Sequence, residues 1–380
     1  MANLDTDFTT GDDLSRNVFC ILGMPIDVED MRSVLYKIRK AVANRAPFFI
    51  TTPNLNHLVN MQSDNEFRES LYQSDLCPVD GMPIVWIARI LSAPIKSRIA
   101  GSDIFDALKA EHDFAKPLKI FLFGGLEGVA SLACQALNAR PSGLCCVGSL
   151  YPGFGSVDDM SGDDIVAKIN SSDADFLVVS LGAQKGQLWL LRNHDRLRIP
   201  VRAHLGAVMN FQAATVRRAP VVFRRLGLEW LWRIKEEPYL WRRYWSDGRV
   251  LLRLFLTRVL PLAIWTRWVR LAYRLHGQGL IIRQVRDDKS ITVSLSGAAI
   301  AGHVEKVIAT FRDVLRTKKP IVVDFTHVRA IDARFFGLLL MLRKKLKGDS
   351  SSVSFVGLSP AIERIFRLNG LGFLLTEMCL

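Results

Sequence analysis

Between residues 18 and 215, short apolar runs alternate with amphipathic stretches, the pattern of a parallel β-sheet whose crossovers are helices. Three runs predict strands that stop abruptly. Phe48-Phe49-Ile50-Thr51 ends at Thr52-Pro53-Asn54, Lys119-Ile120-Phe121-Leu122-Phe123 ends at Gly124-Gly125, and Phe176-Leu177-Val178-Val179-Ser180 ends just before Gly182. Ligands in such sheets bind beyond the carboxyl ends of the strands, where glycine lets the backbone come close and helix N-termini attract phosphate. The candidate site therefore comprises these loops and the polar residues at predicted strand ends: Thr52, Asn54, Asp80, Gly124, Gly125, Gly182 and Lys185.

The pattern changes at Gly279. Ser290 to Leu295 and Ile321 to Phe325 read as strands, His303 to Leu315 and Phe335 to Leu346 as helices, which predicts a second α/β domain of about 100 residues. The expected division is a flexible tail over 1–17, an α/β domain over 18–215, a basic tryptophan- and arginine-rich segment over 216–278, and the smaller domain over 279–380.

Charge singles out the third of these. The chain of 380 residues carries a net charge of +13. Between Arg217 and Arg274 stand fourteen Lys and Arg against four acids, together with six of the eight tryptophans. Arginine and tryptophan interleaved with leucine and valine are the composition of a helix lying in a membrane interface. The most apolar stretch, Val250 to Leu275, is interrupted by Arg253, Arg258, Arg267, Arg270 and Arg274, and each such charge costs about 2.5 to 3.5 kcal/mol at a bilayer centre. It is predicted to lie on an anionic membrane. Ile264, Trp265, Trp268, Leu271, Ala272 and Leu275 form the apolar stripe, with Arg267, Arg270 and Arg274 alongside. The alternative is a helix packed on its own protein. Nucleic acid is not an expected partner, since no recognition helix or RNA-binding signature is present.

The polar start of the chain lacks the basic and apolar regions of a signal peptide. Six cysteines, at 20, 77, 134, 145, 146 and 379, show no CxxC spacing, so neither a zinc site nor a disulfide framework is predicted and a reducing cytoplasm fits. No metal or cofactor is expected: Asp173-Ala174-Asp175 precedes its strand and reads as a turn, and Asp5-Thr6-Asp7 lies in the tail. Asp80 sits among apolar residues in Pro78-Val79-Asp80-Gly81-Met82-Pro83. A carboxylate so placed has a raised pKa and can take a proton from a sugar hydroxyl; equally, it can cap the helix that follows.

Thr52-Pro53-Asn54, Asp80-Gly81-Met82-Pro83, Arg98-Ile99-Ala100-Gly101-Ser102-Asp103, Phe121-Leu122-Phe123-Gly124-Gly125, Leu181-Gly182-Ala183, Arg218-Ala219-Pro220 and Leu228-Glu229-Trp230-Leu231-Trp232-Arg233 occur in this order. Together they resemble the WecG/TagA/CpsF glycosyltransferases, family 26, over roughly residues 18 to 245. The resemblance implies an inverting, metal-independent transfer of sugar from a nucleoside-diphosphate donor, usually UDP, to a polyprenyl-diphosphate-linked saccharide. It implies Asp80 as general base, with Thr52 and Asn54 near the sugar and diphosphate. Arg233 and Arg242 fall where a basic appendage neutralises the leaving diphosphate at the membrane. Two departures stand out: the family's Pro-Lys-Gln-Glu run reads Gln184-Lys185-Gly186-Gln187, and its Glu-Pro-x-Arg reads Glu237-Pro238-Tyr239-Leu240.

Over about residues 280 to 380, Ile321-Val322-Val323-Asp324-Phe325-Thr326 and Ile331-Asp332-Ala333-Arg334-Phe335-Phe336-Gly337-Leu338 resemble a STAS domain. Phosphorylatable members carry a hydroxyl residue after the aspartate. Here Ala333 stands there, which implies a docking module for a protein partner rather than a phospho-switch. The expected fold is thus α/β: a Rossmann-like catalytic domain with a parallel sheet, a basic helical appendage and a smaller STAS-like domain. The expected activity is sugar transfer from a UDP-sugar to a lipid-linked acceptor in cell-surface or exopolysaccharide synthesis, at the inner face of the plasma membrane. The competing expectation is a non-catalytic sensor of nucleotide sugar or lipid that signals through the STAS-like domain.

Overall fold

A computed structural model describes residues 12–111, 116–140, 142–276, 279–347 and 352–378, with the side chains of 225, 273–276 and 377–378 left out. Asp5, Asp7 and Cys379, and the side chains of Arg274 and Leu275, lie outside the described residues. The contacts divide the chain into two units, one of residues 29–86 and 95–253, the other of residues 1–28, 87–94 and 254–380.

Strands β1 (Val18–Ile21) and β2 (Met24–Asp27) form an antiparallel hairpin. The larger unit is built on β3 (Phe48–Ile50), β4 (Leu118–Gly124), β5 (Leu144–Leu150), β6 (Phe176–Ser180) and β7 (Val201–His204). These are all parallel, in the order β3-β7-β6-β4-β5. Helices cover both faces, so the strands read as unbroken apolar runs. Side chains still alternate. Ile50, Ile120, Leu122, Phe176 and Val178 enter one core, while Phe49, Phe121, Phe123, Leu177 and Val179 enter the other with Trp189. The strand at 118–124 outruns its sequence prediction because Gly124 still pairs with Ser180.

The spacing of the cysteines gave no ground for a disulfide, yet Cys134 and Cys146 are joined. Helix Val129–Asn138 lies on β5 and brings their Cα atoms within 5.3 Å. Asp173 and Asp175 lie in the irregular loop that leads into β6, paired with Arg45 and with Lys119.

The smaller unit carries β8 (Leu280–Arg286), β9 (Ile291–Ala299), β10 (Ile321–Ile331) and β11 (Val353–Val356) in the order β11-β10-β9-β8, with only β8 antiparallel to its neighbour. Helix Ala333–Lys347 is capped by Asp332, whose carboxylate accepts the N–H groups of Phe335 at 2.9 Å and Ala301 at 2.8 Å. The β1–β2 hairpin belongs to this unit. Arg334 donates to the Val18 carbonyl at 3.2 Å, so the N-terminal strands that sequence order grouped with the larger domain share a core with the STAS-like helix.

The basic segment is a helical run over Leu240–Leu254, Phe255–Val259 and Leu260–His276. The middle turn is π-helical and ends two residues before Pro261, which has no N–H to keep the ordinary ladder. Among the described residues no helix is long and apolar enough to cross a membrane. In the smaller unit Val259, Leu262, Ala263 and Val269 are buried, and Trp265 donates to the Ile331 carbonyl at 3.2 Å. Ile264, Trp268 and Leu271 face outward. Trp265 therefore departs from the exposed stripe expected of it, because that side of the helix packs on the sheet.

Candidate active site

The site grows from the edge strand β3. Beyond Ile50 the chain runs out through Thr51 and Thr52, and the segment from Leu76 continues beside it. The Asp80 N–H bonds to the Pro53 carbonyl and the Ile99 N–H to the Val79 carbonyl, both at 2.8 Å. The loops holding Thr52 to Asn54, Asp80 and Gly101 are thereby stitched side by side. A Cβ on Gly101 would stand 3.3 Å from Thr52 Oγ1, and one on Gly81 would stand 3.5 Å from Asn54 Cβ. Gly81 turns the chain at φ +112°, a conformation other residues rarely hold.

Asp80 is partly exposed, yet protein surrounds its carboxyl. Desolvation pushes its pKa up to about 7; Glu229 and Asp103 add to the rise, while Arg98 and the Gly101 N–H oppose it. Among the described residues the carboxylate turns to Gly101, the first residue of helix Gly101–Ala110, and not to helix Met82–Ile90 that follows it in sequence. A carboxyl with a pKa near neutrality is a stronger proton acceptor than an ordinary carboxylate and is still substantially ionised at pH 7.

Arg98 was not singled out by sequence as an individual residue, although it opens one of the motifs. It pairs with Asp103 at 3.2 Å and with Glu229, and its charge bears on Asp80. Arg218 pairs with Asp103 and Asp106, Arg224 with Asp103 at 3.5 Å, and Arg233 with Glu237 at 3.0 Å. The buried Nε atoms of Arg218, Arg224 and Arg233 have no hydrogen-bond partner among the described residues. Arg242 stands apart, exposed with its guanidinium 5.8 Å from the centroid of Trp241. Lys185 donates to the Gly155 carbonyl at 2.9 Å.

Gly124, Gly125 and Gly182 have φ of +101°, +80° and +81° at the ends of β4 and β6. The Gly125 N–H reaches the Ser180 carbonyl at 2.7 Å, which holds the two loops together at the carboxyl edge.

His57 and His204 were not legible in the sequence, and Gln187 was marked only as a departure from the family's run. All are buried, and each has a nitrogen without a partner among the described residues. Burial lowers the pKa of His57 to about 3, with His204 adding to the fall, and that of His204 to about 4. Both rings are neutral. A Cβ on Gly186 would overlap the His204 ring. The glycine that departs from the family's run is what admits this imidazole.

Residues 19–263, more than half of the chain, match the glycosyl transferase WecG/TagA/CpsF family. The chain belongs to this family. It is a glycosyltransferase of the hexosyltransferase class, and residues 282–376 match the Mlab-type STAS domain. Among curated proteins it is similar to the N-acetylglucosaminyldiphosphoundecaprenol N-acetyl-beta-D-mannosaminyltransferases of Staphylococcus aureus strains NCTC 8325 / PS 47, COL and N315. Each is 27% identical over 217 residues, which cover 56% of this chain and 82% of the relative.

Proposed function

We propose that the chain is an inverting, metal-independent transferase that moves a sugar from a UDP-sugar to a polyprenyl-diphosphate-linked saccharide. The observation that carries this reading is Asp80: a carboxyl raised to about 7, next to the loops of Thr52 and Asn54 and within reach of the Arg98 charge. The name of the staphylococcal relatives supports an undecaprenyl-diphosphate-linked acceptor.

In this reading an acceptor hydroxyl attacks the anomeric carbon from the face opposite the diphosphate. Its proton passes to Asp80, the bond from carbon to the phosphate oxygen breaks, and both electrons leave with UDP. One displacement inverts the centre. Thr52 and Asn54 hold the sugar and diphosphate, and the turns at Gly124, Gly125 and Gly182 admit the nucleotide close to the backbone. Arg98 and Arg233 offset the charge that grows on the leaving group, the work a metal ion does elsewhere. Lys185 and Arg242 contribute less here, since one is bonded to Gly155 and the other rests on Trp241.

The enzyme works at the inner face of the plasma membrane in cell-surface or exopolysaccharide synthesis. Two sets of exposed apolar side chains support contact with an anionic bilayer: Leu226, Trp230, Trp241, Trp245 and Leu252 in the larger unit, and Leu256, Leu260, Ile264, Trp268 and Leu271 in the smaller. The STAS-like domain, with Ala333 after Asp332, serves as a docking module for a protein partner.

The test is Asp80→Asn. The amide cannot take the proton, so transfer falls by about 10² to 10⁴ while UDP binding persists. Near wild-type turnover in this variant excludes Asp80 as the base. Activity persists in EDTA; strict dependence on added magnesium or manganese would point to a metal-assisted route.

A further inference from the structure

Asn54 precedes helix Leu55–Asn60, and its Oδ1 faces two nitrogens of one residue: the His57 N–H at 3.2 Å and His57 Nδ1 at 3.0 Å. A backbone N–H can only donate, so the atom receiving it is the amide oxygen and not the amide nitrogen. An amide oxygen can only accept, so Nδ1 carries the proton. This settles two orientations together. The Asn54 amide cannot be flipped, and the His57 ring is the Nδ1–H tautomer with a bare acceptor at Nε2, the atom left without a partner among the described residues. His57 is itself 3% exposed and locked against Phe67 at a ring separation of 5.5 Å.

The consequence falls on the other end of the amide. With its oxygen held, Asn54 presents Nδ2 and two N–H donors. Asn54 is partly exposed, and Nδ2 is neither buried nor bonded among the described residues. A residue whose amide is free to flip would offer a ligand an oxygen for part of the time and repel phosphate or hydroxyl lone pairs. A locked donor pays no such cost.

We propose that His57 is a positioning residue that holds Asn54 with its two N–H donors toward the donor substrate, where they bind acceptor oxygens of the nucleotide sugar. This rests on the reading of the loops around Asp80 as the nucleotide-sugar site. It assigns His57 no contact with substrate and no proton transfer. The neutrality of the ring fits the role, because the imidazole acts as a fixed dipole rather than a cation.

The test measures binding of UDP and of UDP-N-acetylmannosamine by calorimetry to the full chain and to His57→Phe, His57→Asn, Asn54→Ala and the His57→Phe/Asn54→Ala double variant. Phenylalanine fills the space without a donor and weakens binding about tenfold, the worth of one good hydrogen bond. Asparagine returns an N–H near the place of Nδ1 and restores most of the affinity. The double variant is no worse than Asn54→Ala, because His57 acts through Asn54. Loss with both ligands assigns the bound oxygen to the diphosphate, and loss with the sugar nucleotide alone assigns it to the sugar. Unchanged affinity in His57→Phe, or losses that add in the double variant, overturns the proposal. A lowered melting temperature with intact binding does the same, reducing His57 to a packing residue. If the unaltered chain binds neither ligand, it is the reading of these loops as the nucleotide-sugar site that fails.

Discussion

The Cα of Gly337 rests against the backbone carbonyl of Val18, so closely that a Cβ there would overlap the carbonyl oxygen and carbon. Arg334, one turn earlier, donates to the same oxygen. Helix Ala333–Lys347 thus takes the β1–β2 hairpin directly onto its backbone, and Cys20, Ile21, Leu22 and Met24 are wholly buried as a result.

Gly337→Ala therefore meets backbone atoms that cannot swing aside as a side chain would. Overpacking of this kind costs about 1 to 3 kcal/mol. A melting temperature lowered by a few degrees, with the hairpin exchanging its amide hydrogens faster than the five-stranded sheet, is the expected result. An unchanged melting temperature would mean that the hairpin shifts freely on the helix.

The pH dependence of transfer follows from Asp80. As a base it must be ionised, so kcat/KM rises with pH through a midpoint near 7 and levels off above it. Arg98 opposes the rise in that pKa. Arg98→Gln removes the opposing charge, so the midpoint moves to higher pH, by about one unit or more for a charge this close. A midpoint that stays in place would show that the Arg98 charge is spent on Glu229 and Asp103.

The same carboxyl makes a prediction about stability. Its folded pKa lies above the ordinary value of 3.8, so between that value and about 7 the folded chain binds more protons than the unfolded one. Its contribution is full below the unfolded pKa and is lost as pH rises through the folded one. Asp80→Asn, which cannot ionise, is expected to raise the melting temperature at pH 8 relative to the unaltered chain and to leave it nearly unchanged at pH 4. A gain that is equal at both pH values would trace to packing instead of charge.

Sequence carried the fold as far as local periodicity reaches. The runs at Phe48, Lys119 and Phe176 alternate between two cores, and sequence led to the loops of Thr52, Asn54 and Asp80, which the structure brings together, because ligands in parallel sheets bind where strands stop. Relationships made by close approach were not recoverable. Nothing near Val18 announces Gly337, and nothing near Gly186 announces the His204 ring, because each is one glycine meeting a distant residue. His57 looks like an ordinary helix residue until Asn54 Oδ1 is seen to accept twice from it. The helix after Pro261 misled for a different reason. It has two apolar sides, and periodicity does not say which one faces the protein.

That two-sidedness gives the sharpest test of membrane contact. Trp265 and Trp268 lie 5.1 Å apart between ring centroids, yet they have different tasks. Trp265 is half-buried and bonded to the Ile331 carbonyl, whereas Trp268 is 52% exposed and Ile264 70% exposed. Arg270 turns back to the Ser92 carbonyl at 3.2 Å, which takes one arginine of the stripe out of play and leaves the apolar side chains to carry more of the contact. Ile264→Glu with Trp268→Glu is therefore expected to release the full chain from vesicles containing anionic lipid while its melting temperature stays the same, and Trp265→Ala to lower the melting temperature first. Binding of the unaltered chain weakens as salt rises, since each arginine near the surface adds about 1 kcal/mol by charge alone. If the double glutamate variant sediments with vesicles as the unaltered chain does, the bilayer is not what covers Ile264 and Trp268.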